Sequence, residues 1–490
     1  MEHISLLLVV LPLIAAPIVA IIPNGRLPWL LTLIATVTCA VLAGLQLFVI
    51  LDQGLIIYEL GGWAPPWGIE YRIDAVNAFV AFIVAIIGAI ILPYALLSVE
   101  QEIPKHNLSL FYCAFLLCLC GLLGITQTGD IFNVFVFLEI SSLSSYALIS
   151  LGQKRQALTS AYQYLIMGTI GATFFLIGVG LIYSQTGTLN MMDLSQRLSI
   201  VYGHKTVQTG FAFILIGISL KLALFPLHLW LPNAYTYAPT VVTTFLAATA
   251  TKVAVYVMIR VLFTVFSVDF LLATPGNEIF LLLGLAGIIG ASFYAIYQTD
   301  VKRLLAYSSV AQIGYMALGI GFASAMGLTA TLVHLFNHAL MKGALFMAVG
   351  AIIYRVGTCR MDNINGLGKQ MPWTFAAFII AGLSLIGVPG TAGFISKWYL
   401  VLAALEQGAW VAIVVIIVGS LLAVVYVGKI IEALYFKEAT EQASEIKEAP
   451  AILLIPMWCL VIANVYFGLN TELTVGVAEV AVEALGVGQK

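Results

Sequence analysis

Five side chains are chemically out of place. Glu139, Lys221, Lys252, Lys342 and Lys397 are ionisable, yet each is embedded in a long apolar stretch. A charge at the centre of a bilayer costs about 3 kcal/mol even on lenient insertion scales, so a residue that stays there is expected to be functional. The chemistry these types support is proton transfer. A buried carboxylate without a partner protonates, whereas a basic partner keeps it ionised. Glu139 is the one carboxylate that falls clearly inside an apolar segment. It is followed by a run of hydroxyls (Ser141, Ser142, Ser144, Ser145) able to hold helix contacts or water.

Two of the lysines stand beside helix breakers. Lys221 precedes Pro226, which removes a backbone donor and clashes with the preceding turn. Lys397 follows Gly387, Pro389, Gly390 and Gly393. A break at membrane depth is tolerated only where protein or a watery cavity satisfies the freed backbone. His228, two residues past Pro226, either lines that pocket or sits satisfied at the interface. Lys252 is flanked by Thr243, Thr244, Thr249 and Thr251 and lies too deep to snorkel. In the segment His334-Leu-Phe-Asn337-His338-Ala-Leu-Met-Lys342, the three titratable groups recur every four residues. They therefore share one helix face, with steps of about 6 Å along the axis. Histidine changes charge near neutrality, so this row reads as a proton wire. A metal centre would need acidic or thiolate ligands close by, and none are near in sequence. Cys118 and Cys120 project to different sides of a helix and read as small apolar residues.

These residues need a membrane-spanning scaffold, and the composition demands one. The chain has 490 residues, 62% of them hydrophobic and 9% charged, against about 25% charged in an ordinary soluble domain. That excludes a soluble enzyme, a disordered chain and a nucleic-acid binder. Fourteen apolar segments are expected, near 4–22, 28–51, 76–98, 108–126, 130–151, 159–184, 208–234, 239–266, 277–298, 300–323, 325–354, 373–406, 410–435 and 450–469. Each is long enough for a spanning helix. The first is not a signal peptide, because its start carries no Lys or Arg and no small-residue cleavage site follows.

The loops after odd-numbered spans hold twelve Lys or Arg: Arg26, Lys105, Lys154, Arg155, Lys302, Arg303, Arg355, Arg360, Lys369, Lys429, Lys437 and Lys447. The other side holds five: Arg72, Arg197, Lys205, Arg260 and Lys490. Basic loops face the cytoplasm, so both termini are expected outside. The remaining four basic residues are the buried lysines. The broken seventh and twelfth spans lie five apart. Five is odd, so spans 4–8 and 9–13 would be inverted repeats, an arrangement that points to an ion pathway. The expected organisation is 1–107 (three N-terminal helices), 108–266 and 277–435 (the repeats) and 436–490 (the last helix and tail). No phosphate-binding loop, dinucleotide fingerprint, HExxH or CxxC is present. No cofactor or metal of its own is expected, and the chain reads as a transporter subunit rather than an enzyme. A membrane enzyme acting on lipid would need a nucleophile or metal site that the sequence lacks.

Four motifs carry a family resemblance: Gly129-Asp130-Ile-Phe-Asn133 leading to Glu139, Lys221 through Pro226 and His228 to Trp230 and Pro232, Asp300-Val-Lys302-Arg303 leading to Ser308 and Ser309, and His334 to Lys342. Together they resemble the antiporter-like subunits shared by respiratory complex I and Mrp-type cation/proton antiporters, with the strongest likeness to the D-type subunits of the Mrp antiporters. The resemblance spans nearly the whole chain. It implies an all-α polytopic membrane protein of fourteen helices with two inverted five-helix repeats. It also implies roles for residues. Glu139 and Lys221 would form the ion pair of the fifth and broken seventh helices, and Lys252 the central lysine of the eighth. His334, His338 and Lys342 would form the relay of the eleventh helix, and Lys397 the terminal lysine of the broken twelfth. One complex I homologue carries glutamate at that last position, so Lys397 argues against that member. The largest homologue has a lateral helix after its fourteenth span, whereas this chain ends about twenty residues after its own. The implied function is proton translocation within a multisubunit Na⁺ or K⁺/proton antiporter of a bacterial or archaeal cell membrane. The alternative is a proton-pumping arm subunit of a complex I-like or hydrogenase-like redox complex. Partners would be the other subunits, the ions and the lipid bilayer, with no nucleic acid.

Overall fold

Hydrocarbon offers no partner to a backbone N–H or C=O, so a spanning segment must satisfy itself, and a helix does so within one strand of chain. The computed structural model describes residues 3–23, 25–438 and 446–487. Among them, thirteen helices are long and apolar enough to cross a membrane. Spans 1 to 6 are Ile4–Ile21, Arg26–Gln53, Ala75–Glu102, Leu108–Gln127, Ile131–Ser150 and Arg155–Thr186. Spans 7 to 11 are Lys205–Leu222, Thr240–Val265, Gly276–Ile296, Val301–Gly321 and Ala325–Val356. Span 12 is the additional one. It is split into Pro372–Ile386 and Ala392–Glu406, and spans 13 and 14 are Trp410–Tyr435 and Ala451–Leu469. The total is the expected fourteen.

The breaks fall where sequence placed them, with added detail. Span 7 stops at Leu222 because Ala223 takes a left-handed conformation (φ 58°). The chain resumes as a short helix, Trp230–Tyr237, and the indole of Trp230 donates at 2.9 Å to the carbonyl of Leu220, which also accepts from Ala223 N at 3.2 Å. Span 12 is interrupted by left-handed Gly387 and Gly390. Span 8 holds a break that no Pro or Gly announced. Thr249 leaves helical geometry (φ −127°) and divides Thr240–Ala248 from Ala250–Ile259. The span then widens into a π-helical turn over Arg260–Val265.

The two repeats are visible as matching clasps. Asp130 opens span 5 and Asp300 opens span 10, 170 positions later. Each caps its helix by accepting from the N–H three residues on, at 2.7 Å (Asn133) and 3.1 Å (Arg303). Each pairs as an isolated antiparallel bridge, Asp130 with Asn190 and Asp300 with Arg360. The backbone bonds repeat with the same offset: Ile131 N to Leu189 O and Met191 N to Gly129 O, then Val301 N to Cys359 O and Met361 N to Thr299 O. Spans 6 and 11 are both 32 residues long and end at left-handed Gly187 and Gly357. Five spans separate the clasps, so they lie on opposite membrane faces and the repeats are inverted.

Among the elements that escaped the sequence reading, three bear on the packing. A hairpin joins β1 (Ile56–Glu59) to β2 (Glu70–Ile73) between spans 2 and 3. Helix Met191–Val201 buries Met191, Leu194 and Leu198 on one side and pairs Asp193 with Arg197 at 2.8 Å on the other. Helix Glu472–Ala484 packs against spans 3 and 11. All three are too short or too polar to register as spans. Two basic residues assigned to loops are helical and buried. Lys302 donates to the carbonyl of Ala238, and Arg260 pairs with Asp74, the N-cap of span 3. Lys302 lies in the first turn of span 10, and Arg260 begins the last, π-helical part of span 8. Lys490 falls outside the described residues.

Span 11 is the centre of the molecule. Every residue from Gly327 to Ile352 is buried, and the helix touches spans 3, 8, 10, 12 and 14. A helix buried all round cannot be placed by an apolar stripe. Close-packed partners and polar contacts position it instead.

Candidate functional site

Glu139 and Lys221 meet. Lys221 Nζ lies 3.3 Å from Glu139 Oε1 and donates to Ser142 Oγ at 2.6 Å. The pair is asymmetric. The Lys221 side chain is 6% exposed and that of Glu139 25%. Exposed Phe132, Val136 and Leu143 continue the Glu139 side of span 5. Spans 6 and 7 can pack closely behind the pair because Gly217 and Gly171 face each other. A methyl on Gly217 would lie 2.6 Å from the Gly171 carbonyl oxygen.

A cavity of about 30 Å³ adjoins the pair and is lined by Ser142, Tyr164, Lys221, Tyr235 and Thr251. That is room for a water. Thr251 links it onward, since its hydroxyl accepts from Lys252 Nζ at 3.3 Å. The unannounced break at Thr249 gives Lys252 its second partner, the carbonyl of Ala247. Lys252 has no acid partner among the described residues and is entirely buried.

The row on span 11 holds the expected order. Lys342 donates to Leu305 O at 2.9 Å and to Ser308 Oγ on span 10, and lies 5.9 Å over the Phe346 ring. His338 lies one turn from Lys342, and neither of its ring nitrogens has a hydrogen-bond partner among the described residues. The His334 and His338 rings are nearly parallel, with centroids 6.0 Å apart. His334 Nδ1 is 2.8 Å from Ser396 Oγ, and Ser396 is the residue before Lys397. The neighbouring Asn337 ties the row to the break in span 12 by donating to Ala392 O at 2.6 Å.

Lys397 ends the series in a neutral cage. Its ammonium donates to Leu385 O at 3.1 Å, Ile386 O at 2.9 Å and Ser420 Oγ at 3.0 Å, and sits 4.8 Å over the Tyr315 ring. The carbonyls are those released where the first half of span 12 ends. The break thus supplies acceptors where hydrocarbon would supply none. By the 170-residue offset, Ser309 stands where Glu139 stands in the first repeat, so Lys397 has no counterpart of that acid.

The seven residues read from sequence form a largely buried series, with contacts from Glu139 to Lys252 and from His338 through His334 to Ser396 beside Lys397. His228 does not join it. It lies against Phe225 and Tyr307, with ring centroids at 5.1 and 6.3 Å. Sequence reasoning missed Tyr315, Ser396 and Ser420, whose types carry no signal in an apolar helix, and it gave Ser308, part of a quoted motif, no contact with Lys342. It also missed the Asp74–Arg260 pair. No cluster of three or more metal-ligating side chains occurs among the described residues.

A nearly all-helical membrane protein with two inverted repeats, two broken helices and several buried lysines is built as an ion-translocating membrane subunit. Comparison with known proteins specifies which kind. Residues 128–423 match the family described as NADH:quinone oxidoreductase/Mrp antiporter, transmembrane, and the chain belongs to that family. It is 41% identical over 490 residues to NADH-quinone oxidoreductase subunit N of Desulforudis audaxviator, covering 96% of each chain. It is 31% identical to the D-type subunit of the Na⁺/H⁺ antiporter of Alkalihalophilus pseudofirmus, covering 86% of this chain and 84% of that one. Among solved structures, a chain of the Mrp complex from Dietzia sp. DQ12-45-1b superposes with a TM-score of 0.91 at 25% identity, covering 99% and 97%.

Proposed function

We propose that the chain moves protons along the line from the Glu139–Lys221 pair through Lys252, His338, Lys342 and His334 to Lys397. The reading has it working in a multisubunit complex that exchanges Na⁺ or K⁺ for protons. The observation that supports it most is the set of polar contacts at the two ends of the line. Lys221 and Thr251 share a cavity, Thr251 bonds Lys252, and His334 bonds the serine next to Lys397. Fields at low dielectric reach far, so the charge state of one member acts on the next. When Glu139 separates from Lys221, the lysine loses its counter-charge in a site that water does not screen, and its proton is released toward Lys252. The cage around Lys397 receives it, and the break in span 12 is the exit.

Glu139 supports the presence of partner subunits. A carboxylate one-quarter exposed among exposed apolar residues at mid-membrane depth is expensive against lipid, so this face is covered by a neighbouring protein chain. The Lys and Arg count supports both termini outside a bacterial or archaeal cell membrane, with 108–266 and 277–435 as the repeats. The second reading, an arm subunit of a redox-linked proton pump, is favoured by the 41% identity to a quinone oxidoreductase subunit.

The deciding experiment is purification from native membranes with partners attached, followed by reconstitution into vesicles. Small antiporter subunits, and a pH gradient dissipated by added Na⁺ or K⁺, fit the first reading. Iron–sulfur partners and no cation response fit the second. In either complex, Glu139→Ala and Lys221→Ala each bring proton-coupled transport below about a tenth of wild type, the effect of roughly 1.4 kcal/mol on a barrier, while the complex assembles. Normal transport by either assembled variant would refute the pair mechanism.

A further inference from the structure

The hairpin face of the protein carries a cavity of about 410 Å³ that the proton line does not use. It opens between the ends of spans 2 and 8, the start of span 3 and the helices Met191–Val201 and Glu472–Ala484. Its polar lining includes Arg72, Arg260, Asp74 and Ser195. Helix ends lie at the level of lipid headgroups. The volume is that of a small-molecule site.

The charges in this cavity do not cancel. Arg260 and Asp74 form an ion pair. Asp74 is further committed to the start of span 3, with Oδ1 accepting from Val76 N at 2.9 Å and Asn77 N at 3.3 Å. Arg72 is left over, and its guanidinium has no hydrogen-bond or ion-pair partner among the described residues. Glu70, two residues earlier on β2, is turned to Asn190 Nδ2 at 2.7 Å and does not line the cavity. The lining therefore carries one net positive charge. The sequence places only five basic residues on this face, where basic residues are disfavoured if it is the outer one. Two of the five converge here. Apolar side chains make up much of the remaining wall, Ile50 from span 2, Phe263 from span 8, and Val480 and Leu485 from the last helix and its end, beside Thr128 and Thr264.

We propose that this cavity binds a phosphate-bearing anion, with Arg72 as its principal ligand and the Arg260 end of span 8 beside it. A guanidinium fork matches phosphate oxygens in geometry and charge, and one net positive charge suits a phosphodiester. The apolar wall accommodates the glycerol and acyl portion of a lipid whose headgroup enters from the adjacent leaflet. Bound there, the anion ties the hairpin and both surface helices to the π-helical end of span 8. Span 8 carries Lys252, so occupancy would hold that span against its neighbours. The inference does not depend on the proton route.

The test uses the purified complex in detergent, stripped of lipid. Thermal unfolding is followed with dihexanoyl-phosphatidylglycerol, dihexanoyl-glycerol or inorganic phosphate added. Phosphatidylglycerol is expected to raise the midpoint of the wild type, while the glycerol lipid without phosphate is not. Arg72→Gln weakens that response about tenfold in concentration, the loss of one charge-assisted hydrogen bond. Arg197→Gln, an outer-face arginine already paired with Asp193, leaves it unchanged. Arg72→Lys retains part of the response and guards against a folding defect in the glutamine variant. A response to inorganic phosphate alone, also lost in Arg72→Gln, identifies a free anion as the source. Stabilisation by the phosphate-free lipid equal to that by phosphatidylglycerol, an undiminished response in Arg72→Gln, or no response to either phosphate probe overturns the proposal.

Discussion

At the scale of single residues, the line of lysines and histidines is held without a continuous set of counter-charges. Glu139 is the only acid paired with a member of it among the described residues. The others rest on hydroxyls, ring faces and backbone carbonyls. This distinguishes members by how replaceable they are. His338 makes no hydrogen bond through its ring nitrogens, so water can fill the place of its side chain and carry a proton past it. Lys397 fills a cage built to its shape, with three acceptors and a ring face. Proton transport measured in vesicles is therefore expected to fall less in His338→Ala than in Lys397→Ala. Equal losses would show that His338 is an obligatory carrier.

At the scale of elements, the breaks do the positioning, and they differ in how legible they were. Those in spans 7 and 12 are written as Pro and Gly. The break at Thr249 is not, because it depends on spans packed around span 8 and on Lys252 occupying the Ala247 carbonyl. In span 12, the N–H of Gly393 donates to the Ser384 hydroxyl at 3.0 Å, and a methyl at this glycine would sit 1.8 Å from the Ser384 carbonyl oxygen. Gly393→Ala should push the two halves apart and cost about 1–3 kcal/mol as overpacking. The melting temperature of the complex should drop, whereas Gly428→Ala, which meets nothing within 4 Å, leaves it unchanged. The second clasp makes a further prediction. Burial, reinforced by the neighbouring Asp300 carboxylate, pushes the Cys359 thiol up to about 12. The reactive thiolate is thus scarce in the folded protein at pH 8, and rises only as pH approaches that value. Peptide mapping after maleimide treatment at pH 8 should find Cys359 unlabelled when native and labelled when denatured. Labelling of the native protein would mean that the clasp opens.

At the scale of the whole molecule, the inverted repeats give two similar halves different polar contents. The first half holds an acid–base pair near an exposed face, and the second holds a lysine in neutral surroundings. A line running between such unlike ends has a direction, which two identical halves would lack. The membrane orientation is testable through Trp67, which is 93% exposed in the hairpin loop. A cysteine placed there (Trp67→Cys) should react with a membrane-impermeant maleimide added to intact cells. Reaction only after the cells are opened would invert the topology and move the Arg72 cavity to the inner leaflet.

The class of protein, the number of spans and the two marked breaks were legible in the order of amino acids, and the seven ionisable residues proposed for the line were conspicuous there. They were legible because a charge in hydrocarbon is costly and therefore rare, so each exception is conspicuous. What those residues touch was settled by packing. Lys252 has no acid among the described residues, His228 packs against Phe225 and Tyr307, and Arg260 leaves its expected loop for Asp74. Hydroxyls, carbonyls and ring faces are common in any apolar helix. Only the assembled bundle selects which of them face a lysine, and no local pattern records that choice.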